Sequence, residues 1–261
     1  LKYNFYTSQK MNLDLKGKTA LITGSSKGIG LQIARSLYNQ GCNIVLNSRD
    51  SDRLKIAIDS LPGSISVIAD VTKVSEAKYL TEMTIKAFGK LDILVCNVGN
   101  SKSVSPGNES LEDWKTMMND NLYSTTNMVE ASINYLEKTK GNIICISSIC
   151  GNETIPGAPI TYSTAKAALN KYVRGISRNL AQKSVRINAI SPGNIYFEGS
   201  TWDLKIKSDP KIVEQMLNNE VPMKTFGKPD DIANLVCYLA SPFSSFMTGS
   251  IITLDGGQIR G

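Results

Sequence analysis

Short runs of aliphatic and β-branched residues recur along the chain. Between them lie longer stretches whose apolar positions repeat every three or four residues. The short runs are Lys18–Thr23, Asn43–Asn47, Ile65–Ala69, Asp92–Cys96, Asn142–Ser147, Val185–Ile190 and Ser250–Thr253. The helix-like stretches are Gly28–Gln40, Asp52–Ser60, Ser75–Phe88, Leu111–Glu137, Thr161–Gln182, Pro210–Asn218 and Asp230–Leu239. Seven short buried runs alternating with helices predict a parallel sheet covered on both faces. Right-handed crossovers make it doubly wound. Such sheets bind ligands outside the carboxyl ends of their strands, so the residues after each run are the ones to read for chemistry.

The βα pattern continues from end to end of the 261 residues without a Pro/Gly/Ser-rich linker. This predicts one domain over 14–261, preceded by a tail at 1–13. The first twelve residues carry Lys2 and Lys10 and no apolar run, unlike a signal peptide. No stretch reaches the ~20 apolar residues of a membrane span. A net charge of +6 raises the question of nucleic acid, but the basic residues are scattered among acids, so none is expected as a partner. Five cysteines without a CxxC pair suggest reduced thiols and a cytoplasmic protein. The absence of histidine excludes Ser-His-Asp and Cys-His catalysis and any His-ligated metal on this chain, and no metal is expected. Proton chemistry falls to Tyr, Lys or carboxylates.

After the first run comes Thr23-Gly24-Ser25-Ser26-Lys27-Gly28-Ile29-Gly30. Gly24 allows a tight turn, Gly28 lets the backbone approach a pyrophosphate, and Gly30 lets helix and strand pack closely. With Ser26 and Ile29 between them, these residues open a helix whose first amides favour an anion. This is a Rossmann-type dinucleotide loop. The second run ends in Ser48-Arg49-Asp50, where an NAD site usually places an acid on the ribose. Ser48 is neutral, and Arg49 can pair with a 2′-phosphate, with Lys27 in reach of the same group. NADP(H) is therefore expected, with NAD(H) still possible because Asp50 follows.

The fifth run ends in Ser147-Ser148, and Tyr162 and Lys166 stand one helical turn apart further on. An ammonium beside a phenol favours the phenolate and lowers its pKa, and a serine can polarise a carbonyl oxygen. Alone, each is a weak signal. In order, the Thr23–Gly30 loop, Asp70-Val71, Asn97 with Gly99, Asn121, Ser148, Tyr162 with Lys166, Pro192-Gly193 and Asp255-Gly256-Gly257 make a strong one. In this pattern the chain resembles the short-chain dehydrogenases/reductases over about residues 15–257, of a 3-oxoacyl-reductase-like type.

The resemblance implies Tyr162 as acid/base and Lys166 as holder of the nicotinamide ribose. It implies Ser148 as the group that orients the carbonyl, and Asn121 in a proton relay through water. Asp70 and Val71 would border the adenine, Asn97 and Gly99 the ribose side, and Ile195, after Pro192 and Gly193, the carboxamide. It also implies a homotetramer and a substrate flap at about 196–221. The implied substrate is a carbonyl or alcohol, such as a keto-sugar, a 3-oxoacyl thioester or another small ketone. Within the flap, Tyr196, Phe197 and Trp202 stand beside charges, either to stack on a polar ring or to anchor the flap. The alternatives are an NAD-linked alcohol or sugar dehydrogenase and a non-catalytic dinucleotide-binding regulator.

Overall fold

The computed structural model describes residues 12–260. Most of the expected tail lies outside the described residues, and Leu13, its last residue, already packs against the core. Seven parallel strands form one sheet in the order β3-β2-β1-β4-β5-β6-β7. They are β1 Thr19–Ile22, β2 Asn43–Ser48, β3 Ile65–Ile68, β4 Ile93–Cys96, β5 Asn142–Ile146, β6 Arg186–Pro192 and β7 Ile251–Leu254. The order reverses between β1 and β4, and a crevice opens there above the strand ends.

Alternation along the strands feeds two cores. Ala20 and Ile22 of β1, Ile93 and Val95 of β4, and Ile144 and Ile146 of β5 enter one core. Leu21, Leu94, Cys96, Ile143 and Cys145 enter the other. The first is closed by α1 (Gly28–Asn39), α2 (Ser51–Asp59) and α9 (Pro229–Ala240) through Ile33, Leu37, Leu54 and Val236. The second is closed by α3 (Val74–Phe88), α5 (Ser124–Thr139) and α6 (Ile160–Gln182) through Leu80, Met128 and Leu169. Burial on both faces is why these strands read as unbroken apolar runs.

Two segments differ from the sequence expectation. The stretch expected as one helix over Leu111–Glu137 is α4 (Leu111–Met118), a π-turn (Asn119–Tyr123) and α5. The Asn121 side chain donates to the Met117 carbonyl at 3.0 Å, competing for an acceptor the helix backbone would otherwise use. The apolar repeat continues on both sides of the turn and conceals the break. The flap also holds a helix that the pattern did not predict, α7 (Thr201–Ser208), ahead of the expected one, α8 (Pro210–Glu220). Ser200 Oγ caps α7 by accepting from Asp203 N at 3.1 Å, and Asp209 caps α8 by accepting from Ile212 N at 3.1 Å.

Candidate active site

The turn between β1 and α1 is built as its glycines require. Gly24 and Gly28 adopt φ of +60° and +55°, a region that L side chains rarely occupy. A Cβ on Gly30 would stand 2.5 Å from both the Gly24 carbonyl oxygen and Asn97 Nδ2, so only glycine lets this helix sit so close. Asn97 holds the loop from the β4 side, donating to the carbonyls of Thr23 (3.1 Å) and Gly24 (3.0 Å). No side chain caps the start of α1, and its first turn holds no acid. Its leading amides thus have no side-chain acceptor there, which suits an anion.

Around this turn lies a cleft of about 510 Å³ that gathers Ser26, Lys27, Ile29, Ser48, Arg49, Asp70, Val71 and Gly99 with Arg53 and Phe197. Ser26 Oγ and Ser48 Oγ are 3.1 Å apart. Arg49 is exposed and lies 3.6 Å from Asp70. Burial pushes the Asp70 carboxyl up, but hydrogen bonds from the Thr72 hydroxyl and amide, with the Arg49 charge, outweigh it and hold it below the usual range. Asp50 is turned to α2: its carboxylate accepts from Arg53 N at 3.0 Å and pairs with Arg53 Nε at 3.2 Å. The acid that clouds the reading of this strand end is therefore a helix cap. The cleft's size, its phosphate-ready helix start and its cations fit a phosphate-bearing dinucleotide.

At the end of β5, Ser147 and Ser148 have different tasks. Ser147 donates to Asn170 Oδ1 at 2.6 Å inside the fold. Ser148 Oγ accepts from Cys150 N at 3.2 Å, and Ser148 acts on the phenol of Tyr162, pulling its pKa down. Tyr162 and Lys166 lie on α6 as expected, with Lys166 Nζ 5.8 Å from the centre of the tyrosine ring. Lys166 is buried and donates to the Ile146 carbonyl at 2.9 Å. Burial pushes the Tyr162 phenol up to about 12, against the pull of Ser148, and pushes the Lys166 ammonium down to about 8. The expected lowering of the phenol by its lysine is thus not found, and burial sets the direction. Tyr162 is held as a neutral phenol, the form that can give a proton.

Asn121 is fully buried in the π-turn. Its amide pairs with the backbone of Asn100, accepting from the Asn100 N–H at 3.1 Å and donating to the Asn100 carbonyl at 2.9 Å. With the Met117 contact, both side-chain N–H groups are used. Gly99 stands at the centre of this group: a Cβ there would lie 2.9 Å from Asn121 Oδ1 and 3.2 Å from Lys166 Nζ.

Beyond β6, Gly193 N donates to the Leu254 carbonyl at 3.0 Å, next to Pro192, and Ile195 is buried in a bridge with Gly227. In the flap, Tyr196 and Trp202 both pack on Phe226, with ring centres 6.0 and 5.4 Å apart. These two rings serve as anchors here. The third, Phe197, lies over the glycine turn, where a Cβ on Gly28 would come within 2.6 Å of its ring. Sequence reading did not assign Arg53 or Phe197 to the cofactor cleft. Arg53 three residues after a helix-capping Asp50 was a usable signal, whereas nothing local to Phe197 indicates where its ring turns.

The profile described as enoyl-(acyl carrier protein) reductase matches residues 24–258. Glucose 1-dehydrogenase 2 of Bacillus subtilis (strain 168) is 36% identical over 257 residues, covering 95% of this chain and 97% of that protein. Among solved structures, an NADPH-bound short-chain oxidoreductase from Pseudomonas aeruginosa PAO1 superposes with a TM-score of 0.87 at 27% identity, covering 94% and 97% of the two chains. A 7α-hydroxysteroid dehydrogenase complexed with NADH and 7-oxo glycochenodeoxycholic acid gives 0.86 at 29% identity, covering 96% and 97%. These relatives hold NADPH in one case and NADH in another. The profile match and the identity extend over nearly the whole chain. The chain therefore belongs to the short-chain dehydrogenase/reductase family, enzymes that interconvert alcohols and carbonyls.

Proposed function

We propose that the chain is an NADP(H)-dependent reductase of a small carbonyl compound. The observation that carries the cofactor choice is the end of β2. Arg49, Arg53 and Lys27 line one cleft with the hydroxyls of Ser26 and Ser48, while Asp50 is committed to α2. Such a group suits a 2′-phosphate, and the other acid of the cleft, Asp70, is paired with Arg49. When bound, the nicotinamide supplies or takes up the hydride. On the protein side, Cys150 N–H occupies an acceptor position of Ser148 Oγ, and the serine hydroxyl turns its proton to the substrate oxygen. Tyr162, kept neutral by burial, gives that oxygen its proton, and the nearby Lys166 charge favours the phenolate left behind.

This reading includes a homotetramer in a reducing, cytoplasmic setting. It is supported by the exposed rings of Phe243 and Phe246 beside α9 and by five free cysteines. The test is oxidation of NADPH and NADH over a panel of acyl thioesters, keto-sugars and small diketones. Turnover with NADPH in preference to NADH is expected. No turnover on any class, or a preference for NADH, overturns the reading. A second reading, an NAD-linked sugar or alcohol dehydrogenase, draws on the Arg49–Asp70 pair, which shares the arginine's charge, and on the likeness to a glucose dehydrogenase.

A further inference from the structure

We infer that Phe197 is a gate on the dinucleotide cleft, and that its ring competes with the cofactor's pyrophosphate for the backbone at Gly28. The inference rests on the dinucleotide reading above. Gly28 has no side chain, and its positive φ turns the open side of the backbone outward at the start of α1. The space a Cβ would take there is filled by Phe197: Cε2 lies 2.6 Å and Cζ 2.7 Å from that point. The ring tip thus sits where a phosphate must come to reach the leading amides of α1. An aromatic hydrocarbon offers those amides no acceptor, so it can close the cradle but cannot substitute for an anion.

The ring is carried by a short turn at the head of the flap. Its own residue is held in a short turn, with Phe197 N donating to Ser200 Oγ at 3.4 Å and Ser200 N to the Phe197 carbonyl at 3.0 Å. Ser200 in turn caps α7, and Gly199, at φ +76°, supplies the bend. One residue before, Tyr196 is pinned through its N–H to the Gly227 carbonyl at 2.9 Å and through its hydroxyl to Asp203 at 3.2 Å. The swing is therefore confined to 197–200. A phosphate that displaces the ring acts on the cap of the first flap helix. Filling the cofactor cleft and ordering the substrate side then become one event.

A gate and an anchor predict opposite signs for the same substitution. If Phe197 only anchors the flap, its removal loosens the site and weakens cofactor binding. If it competes with the pyrophosphate, Phe197→Ala binds NADPH faster and about tenfold more tightly, as for a site open only a tenth of the time in the parent. The measurement is stopped-flow and equilibrium NADPH fluorescence on the intact protein, with thermal unfolding to verify the fold. Phe197→Leu keeps an apolar contact with the turn but lacks the ring tip, and should shift in the same direction by less. It decides the question should the alanine variant not fold. Equal or weaker binding by the variants, with measurable binding by the parent, overturns the gate and leaves the dinucleotide reading intact. No binding of NADPH or NADH by parent or variants overturns both.

Discussion

Lys166 Nζ donates to the carbonyl oxygen of Ile146 at 2.9 Å, tying α6 to the last residue of β5. Ser147 and Ser148 follow directly, so one bond sets the lysine relative to the serine turn. Tyr162→Phe removes the proton but keeps the ring. It should lower kcat by at least ~10²-fold and leave NADPH affinity near that of the parent. Lys166→Ala should weaken both turnover and cofactor affinity. Steady-state kinetics with parallel binding titrations checks both, and a Tyr162→Phe enzyme retaining a tenth of its rate by order of magnitude removes the residue from this role.

The pH profile should follow the lysine. Burial holds Tyr162 at about 12, so the phenol stays protonated throughout the working range. Burial brings Lys166 to about 8, so its charge is present below that pH and is lost as pH rises through it. The rate of NADPH-dependent carbonyl reduction should therefore be level in mild acid and fall above about pH 8. Initial rates at saturating substrate across this range give the test, and a rate that climbs through the same interval contradicts it.

Arg49→Ala should lower kcat/KM for NADPH about ten- to a hundredfold, the worth of one or two charge-assisted hydrogen bonds, with little effect on NADH. Ser48→Asp combined with Arg49→Ala should reverse the preference. Arg53→Ala should act in the same direction but more weakly, since that side chain is shared with Asp50. Equal losses for both cofactors would detach Arg49 from the phosphate.

Gly30→Ala tests the closeness of α1 to β1. The added carbon would stand 2.5 Å from a backbone oxygen, which cannot swing aside like the end of a side chain. A cost of about 1–3 kcal/mol is expected from forced backbone shifts, read as a lowered Tm. A variant as stable as the parent would mean that the turn is looser than described.

Phe243 and Phe246, exposed together after α9, should be covered in the assembled protein. Light scattering should give a tetramer mass, and Phe246→Lys should shift it toward smaller species. A monomer at all concentrations rules out the assembly.

Strand count, sheet class and the placing of Tyr162 and Lys166 on one helix were legible because each rests on local pattern or on spacing within one element. Burial of both sheet faces writes itself into runs such as Ile143–Ile146. What was not legible depends on where side chains turn. Asn121 reads as one more polar helix residue until its amide is seen to take the Met117 carbonyl and break the helix. The sign of the Tyr162 shift likewise depends on burial, which no Tyr-x-x-x-Lys spacing encodes. The Ser200-x-x-Asp203 signature of α7 was available but lay in a stretch read as a mobile flap.

The Asn121–Asn100 pairing has a consequence for how this enzyme can change. A side-chain amide there does what a neighbouring peptide would do in a sheet, meeting both the N–H and the C=O of one residue. The loop that follows, residues 101–108, is mostly exposed and is held at its root, with Ser103 adding a contact to Thr161 of α6. Replacements along that loop change an exposed surface without touching the buried amide that sets its position. The loop after β4 can thus change its exposed residues while the Asn121–Asn100 pairing keeps its root in place.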